Sequence, residues 1–274
     1  MSDWKYYNHA LIPTCAPHET PNIEVLNDKK IWNQNGKIAL FARWTTNWDC
    51  KEETEWWYVI KDEPFDITKL KKKRRYEINK GRKNFEIKII NPLNFKEKLY
   101  NIQIAAISSY PEKNRRNINY NDFIKNIERW NENIIFGAFR DNELCGYALL
   151  QEKETFIDFS VLKTIPSYEK LGINAAIVYE ILNYYRSKLK DGYYISDGAR
   201  NIFHETKFQD YLEKYFEFRK SYCTLHIQYK CIIKLIITLL FPIRKILIKS
   251  SNKIISKISA VLMMEGIVRK TKKW

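Results

Sequence analysis

No apolar run in this 274-residue sequence is long enough to imply a membrane span. Near Phe241 the longest uncharged stretch extends only from Leu235 to Ile243, too short for a hydrocarbon core of ~30 Å. Residues 1–10 are polar and aromatic, without the apolar segment that a secretory signal needs, so nothing there points to export. Cysteine is sparse. Cys15, Cys50, Cys145, Cys223 and Cys231 form an odd, scattered set without a CxxC pair, which fits buried thiols in a reducing compartment better than disulfides or a zinc site. A cytoplasmic protein without a bound metal is expected.

Acidic residues are scarce in two places. The net charge is +15, but residues 232–274 alone carry +9, with Glu265 their one acid, and residues 69–90 carry +8 against Glu77 and Glu86. The rest of the chain is slightly acidic. Two local basic features, rather than a basic body, therefore need explaining. Disorder is excluded as a default by the 45% hydrophobic and 15% aromatic content, which suffices for a real core.

Three segments are expected from composition and periodicity: residues 1–84, 85–231 and 232–274. In the first, 37–44 and 55–60 alternate as strands do, and Trp44, Trp48, Trp56 and Trp57 crowd together. These rings read as the core of a small N-terminal layer or, alternatively, as the lining of a sugar or acyl groove. Residues 70–84 look helical, with Gly81 as a C-terminal cap.

The second segment is more regular. Strands are expected at 85–91, 134–140, 144–152, 155–162, 193–197 and 218–229, and helices at 95–109, 120–131, 171–190 and 204–216. Asp141, Asn142 and Glu143 supply the turn of an antiparallel meander. The connection from strand 155–162 through the long helix to strand 193–197 has the length of a parallel crossover. The sequence thus predicts an α+β fold: a mixed, mostly antiparallel sheet with one central parallel pair, flanked by helices. Where the parallel strands part, their carboxyl ends and the next helix N-terminus form a ligand crevice.

The wording of KRRYEINKG (73–81), FSVLKTIPSYEKLGINAA (159–176), ISDGARNIFHETKFQDYL (195–212) and FEFRKSYCTLHIQY (216–229) resembles the GNAT acyltransferase superfamily. More particularly it is similar to the Fem-type branch found with bacterial polysaccharide and cell-envelope genes. The resemblance implies acyl transfer from acetyl-CoA or another acyl-CoA to an amine of an amino sugar or peptide. It also implies that Lys170, Leu171, Gly172, Ile173, Asn174 and Ala175 turn backbone N–H groups toward the coenzyme's pyrophosphate. The loop departs from the usual Arg/Gln-x-x-Gly-x-Gly/Ala pattern, because Lys170 precedes Gly172 by two positions and no base stands three before it. Close packing at Gly172 and an aminoacyl-tRNA donor, as in Fem-type enzymes, therefore stay open beside coenzyme A.

Amine acylation requires a base, an oxyanion donor and a means of protonating the leaving group. The strand ends offer Asp158, Lys163, Tyr168 and Glu169 on one side and Asp197, Arg200 and His204 on the other. Asp197 with His204 is the leading pair, Lys163 can stabilise an oxyanion or hold a phosphate, and Tyr222 can protonate a leaving group. Asp158 and Arg200 are candidate substrate contacts, as are Arg74, Arg75 and Tyr76 for an anionic group. His226, in an aromatic-flanked strand, reads as structural.

In the third segment, 231–248 and 252–264 are amphipathic helical patterns rich in lysine. They suit a hairpin on an anionic membrane surface or a helical pair packed on protein. A non-enzymatic membrane or nucleic-acid binder is the remaining function class. The basic run at 69–83 is the one feature favouring RNA, and no RNA-binding module accompanies it.

Overall fold

The computed structural model describes residues 3–112, 115, 117–202, 207–248, 250 and 252–271. Its strands are β1 (Trp4–Tyr7), β2 (Ala10–Pro13), β3 (Asn33–Gln34), β4 (Lys37–Ile38), β5 (Phe41–Thr46), β6 (Trp57–Lys61), β7 (Glu86–Ile89), β8 (Ile134–Arg140), β9 (Glu143–Glu152), β10 (Phe156–Thr164), β11 (Tyr194–Ala199), β12 (Arg219–Tyr222) and β13 (Thr224–Tyr229). The helices are α1 (Lys72–Asn84), α2 (Lys96–Ser108), α3 (Tyr120–Glu128), α4 (Ile173–Tyr184), α5 (Arg186–Lys190), α6 (Lys207–Phe216), α7 (Cys231–Leu240), α8 (Arg244–Leu247) and α9 (Lys253–Thr271).

The chain divides into two compact units. Unit 1 takes residues 1–58, 199–206 and 220–274, and unit 2 takes 59–198 and 207–219. This division cuts across the three consecutive segments expected from composition, because one unit 1 sheet draws β5 from early in the chain and β13 from late in it.

Unit 2 is built on the strand order β11-β10-β9-β8-β7 of the larger sheet. The expected meander is there: β8 pairs antiparallel with β9, and β9 with β10. Asp141 and Asn142 turn the first hairpin with φ of 50° and 64°, the left-handed pair that a two-residue turn between twisted strands requires. β9 is buried along most of its length, so it reads as a near-continuous apolar run rather than an alternation. Ile135 and Leu149 join α2 and α3 in one cluster with Leu99, Ile102 and Phe123, whereas Phe136, one position on, meets Tyr184 of α4 edge-on at 5.5 Å. Helices therefore cover both faces. β10 and β11 form the expected parallel pair, with Phe156, Ile157 and Asp158 opposite Tyr194, Ile195 and Ser196.

Four local expectations are corrected. Gly81 does not cap α1, which runs on to Asn84. Instead its bare Cα lies against α4's entry, where a Cβ would come within 2.2 Å of the Gly172 carbonyl oxygen. The helix expected over 171–190 is two, α4 and α5, breaking at Tyr185, and Lys170 and Leu171 lie in a 3-10 turn before it. The single strand expected over 218–229 is split at Cys223, fully buried and donating its N–H to the Trp56 carbonyl at 3.0 Å, so β12 and β13 join different sheets. The first tail helix is interrupted where Pro242 cannot continue α7, and α9 extends to Thr271.

Unit 1 is built on the sheet β1-β2-β5-β13 and the small ladder β3-β4. Trp4, Leu11, Leu26, Trp32 and Ala42 form one cluster in it; Phe41, Trp56, Cys223 and Leu225 form another with Met264, Ile267 and Val268 of α9. The second tail helix is thus a packing element. Tyr229 donates its hydroxyl to Glu265 at 2.9 Å, Glu265 pairs with Arg269 at 2.8 Å, and Arg269 stacks on Phe241 with 3.8 Å to the ring centre. α7 and α8 differ: Ile232, Leu235, Leu239 and Ile246 are all more than 60% exposed. Among the described residues no helix is long and apolar enough to cross a membrane.

Candidate active site

In unit 2 the crevice forms where β10 and β11 stop pairing. Asp158 opposite Ser196 is the last parallel pair, and β10 then bulges between Phe159 and Val161 while following β9 to Thr164. Side chains alternate along a strand, so Asp197 shares a face with Phe159 and Asp158 lies on the other. That face is covered by α6: Phe208 meets Phe159 edge-on at 5.8 Å, and Gln209 hydrogen-bonds the Asp197 carboxyl.

This environment changes the acid. Burial, first, and the charge of nearby Asp158 push the Asp197 carboxyl up to about 7, with the Gln209 hydrogen bond opposing them. Asp158 accepts the Ser160 hydroxyl at 3.0 Å. A carboxyl group that titrates near neutrality can take and release a proton at physiological pH. Next to Asp197, Gly198 has φ of +88° and donates its N–H to Ser196 Oγ at 3.1 Å, a backbone turn that glycine adopts without strain.

At the start of α4, Gly172 has φ of +86° and no side chain to cap the helix. Ala176 N–H returns to the Gly172 carbonyl at 3.0 Å, while the N–H groups of Ile173, Asn174 and Ala175 have no acceptor among the described residues. Asn174 Oδ1 is committed to the Thr164 hydroxyl at 3.0 Å, and the Leu171 carbonyl accepts from Asn84 at 3.2 Å. Gly172 also packs tightly: a Cβ on it would sit 2.9 Å from the Gly81 backbone. Close packing, the alternative already open for this glycine, thus coexists with a row of unpaired donors. Lys170 is exposed just before them.

The other expected site residues are dispersed. Lys163 is five positions past Asp158 on β10, roughly 16 Å at ~3.3 Å per residue. There it donates to the Tyr110 hydroxyl at 2.8 Å, near Tyr147, which donates to Gln103 at 2.8 Å. His204 falls at 203–206, outside the described residues. Arg74, Arg75 and Tyr76 lie on α1, where Arg75 reaches the Thr68 carbonyl at 3.4 Å and Tyr76 is exposed.

Tyr222 and Arg200 belong to unit 1. Tyr222 packs edge-on against Trp57 at 6.1 Å. Arg200 lies over the Trp57 ring at 4.3 Å and donates to the Glu55 carbonyl, and burial lowers its pKa. His226 is structural as expected, stacked on Trp44 at 5.3 Å and hydrogen-bonded to Thr46 at 2.7 Å. Sequence reasoning missed the partners that set Asp197's chemistry. Gln209 carries no signal beyond its place one turn into an amphipathic helix.

No family model matches the sequence, and no curated protein matches it. Among solved structures the chain is similar to the C-terminal domain of a protein assigned as a lysylphosphatidylglycerol synthetase from Agrobacterium fabrum, with 11% identity, 86% of this chain and 84% of that chain covered, and a TM-score of 0.52. It is also similar to L-PGS from Bacillus licheniformis (12% identity, 86% and 83% covered, TM-score 0.47) and to FemX (10% identity, 67% and 63% covered, TM-score 0.46). The last two likenesses, below a TM-score of 0.5, carry no argument. The first establishes a shared fold, and at this identity the fold alone.

Proposed function

We propose that the protein is an acyl-group transferase in which Asp197, at the end of β11, deprotonates an amine acceptor. The observation that carries this reading is the Asp197 carboxyl, lifted to about 7 at the end of a parallel strand pair. An amine is an ammonium ion at neutral pH and cannot attack until it loses a proton. A carboxylate that titrates near 7 is a competent base there, whereas one at the ordinary value of 3.8 is a weak one. Asp197 takes one proton from the ammonium, the neutral nitrogen so formed bonds to the acyl carbon, the bond from that carbon to the donor's leaving group breaks, and the second nitrogen proton passes to the leaving group.

The donor favoured is acyl-coenzyme A, acetyl-CoA being the simplest. The unpaired N–H groups of Ile173, Asn174 and Ala175, with Lys170 beside them, fit a diphosphate at a helix start. Bound there, the coenzyme would supply a thioester-activated acyl group. A second reading, an aminoacyl-tRNA donor, is favoured by residues 71–75 on and before α1. These five consecutive lysines and arginines have no acid within ion-pair distance among the described residues, a pattern suited to a phosphate backbone. The fold shared with a lysylphosphatidylglycerol synthetase domain is compatible with that reading. The acceptor proposed is an amino sugar or peptide amine.

Contact with an anionic membrane through α7 and α8 belongs to the same proposal. Their exposed isoleucines and leucines lie in a stretch, residues 230–257, that holds seven lysines and arginines and no acid. The experiment is incubation with labelled acetyl-CoA and a panel of amines, and separately with charged tRNA. Label in an amine product with the first supports the main reading, label with the second alone supports the alternative, and label with neither refutes acyl transfer.

A further inference from the structure

Unit 1 contains a cavity of about 240 Å³ beneath the loop that follows β2. Its walls are largely apolar, formed by Ile12, Trp44, Trp56 and Leu225, and its rim carries Pro13, Pro17 and Pro21. Proline fixes its own φ, so this rim is stiff. One rim acid, Glu19, is exposed and occupied in holding the Ala16 N–H at 3.0 Å.

Into these walls the fold sets a cation. Arg43 of β5 lines the cavity, and among the described residues no carboxylate lies within ion-pair distance of it. Its contacts are the Met264 sulfur at 3.9 Å and the face of Trp56, 5.6 Å to the ring centre. Neither is a strong partner for a guanidinium. The ionisable groups that act on its charge, Tyr58 and Tyr7, are phenols, and burial lowers the arginine's pKa. Trp56, itself 2% exposed, also has an indole N–H without an acceptor. A desolvated, unpaired cation costs several kcal/mol, and β5 would be better served by an apolar residue unless the charge is used.

We infer that this cavity is a binding site for a small organic monoanion, a carboxylate with an aliphatic or aromatic body, whose head pairs with Arg43. A planar guanidinium binds a carboxylate through two parallel hydrogen bonds, and one charge answers one charge. A phosphate dianion is disfavoured by the single cation and the apolar walls. The space exceeds the roughly 150 Å³ that accommodates benzene, which sets the size of the body at about a phenyl ring with a short chain. The site lies wholly within unit 1 and does not depend on the transferase reading.

The test uses the full-length protein with 3-phenylpropanoate as probe and 3-phenylpropanamide as its neutral counterpart, read by calorimetry and by the fluorescence of the cavity tryptophans. The carboxylate should bind at least about tenfold tighter than the amide. Arg43→Gln should erase that preference, and Lys37→Gln, removing an exposed cation of the same unit, should preserve it. Equal binding of the two probes, no binding of either at millimolar concentration, or an undiminished preference in a folded Arg43→Gln protein overturns the assignment. If Arg43→Gln fails to fold, the comparison of the two probes on the wild type still decides.

Discussion

Replacing Asp197 by asparagine should make the protein more stable above neutral pH, and the structure sets the size of the gain. Burial and Asp158 raise the Asp197 carboxyl from 3.8 in the unfolded chain to about 7 in the folded one. Between these values the native state holds a proton that the unfolded state has released, so stability falls as pH rises, at ~1.36 kcal/mol per pH unit. The loss is complete above about 7, where it amounts to roughly 4 kcal/mol at most. Partial exposure of the carboxyl and local relaxation bring the expectation to about 2 kcal/mol. Asparagine keeps the shape and a hydrogen-bonding partner for Gln209 but cannot ionise. Urea unfolding of wild type and Asp197→Asn at pH 5 and pH 8, with equal m-values, isolates the effect because every other titrating group cancels in the difference. The variant's advantage should appear at pH 8 and shrink toward pH 5. A difference independent of pH, or one that grows toward acid, refutes the assignment of a raised pKa to this residue.

Asp158→Asn removes the neighbouring charge and should lower the Asp197 pKa, so the pH-dependent loss of stability should be smaller and be complete at lower pH; an unchanged profile would mean that burial alone sets it. Gly81→Ala should destabilise by about 1–3 kcal/mol, although alanine in a helix interior normally stabilises by up to ~1 kcal/mol, because its Cβ would lie 2.2 Å from the Gly172 carbonyl oxygen; a neutral or positive change in the denaturation midpoint would contradict that contact. Truncation after Lys230 should unfold unit 1 by stripping Met264, Ile267 and Val268 from its core, visible as loss of near-UV dichroism from its tryptophans. Leu235→Glu with Leu239→Glu should leave that signal intact yet release the protein from anionic vesicles, each lysine there contributing roughly 1 kcal/mol that salt screens; retained binding would exclude α7 as the membrane contact.

Much of unit 2 was legible because its signals are local. The meander at β8 to β10 announces itself through β-forming runs joined at Asp141 and Asn142, and the parallel crossover through the length of the segment between β10 and β11. Unit 1 was not legible, since it is assembled from distant pieces: Trp56 packs with Leu225 and Met264, a pairing that no spacing encodes. Gly81 misled because a glycine near a helix end has two physical uses, to reverse the chain or to admit a close neighbour, and the sequence pattern is the same for both. Likewise α9 carries an amphipathic pattern that serves equally for a membrane or for β13, and burial of Leu262 decides for protein. At the candidate site, Asp158 and Asp197 were named from strand ends, whereas the shift of Asp197 arises from the cover that α6 provides. Lys163 was grouped with them because strand-end logic ignores how far β10 continues.

The pH dependence of acetyl transfer tests the central claim most directly. With labelled acetyl-CoA and an amine acceptor from the panel, kcat/KM of the wild type should rise through an ionisation near pH 7, and Asp197→Asn should lower it by about 10²-fold or more and abolish that limb. Transfer by Asp197→Asn at the wild-type rate, with the same limb, would contradict the assignment of Asp197 as the base.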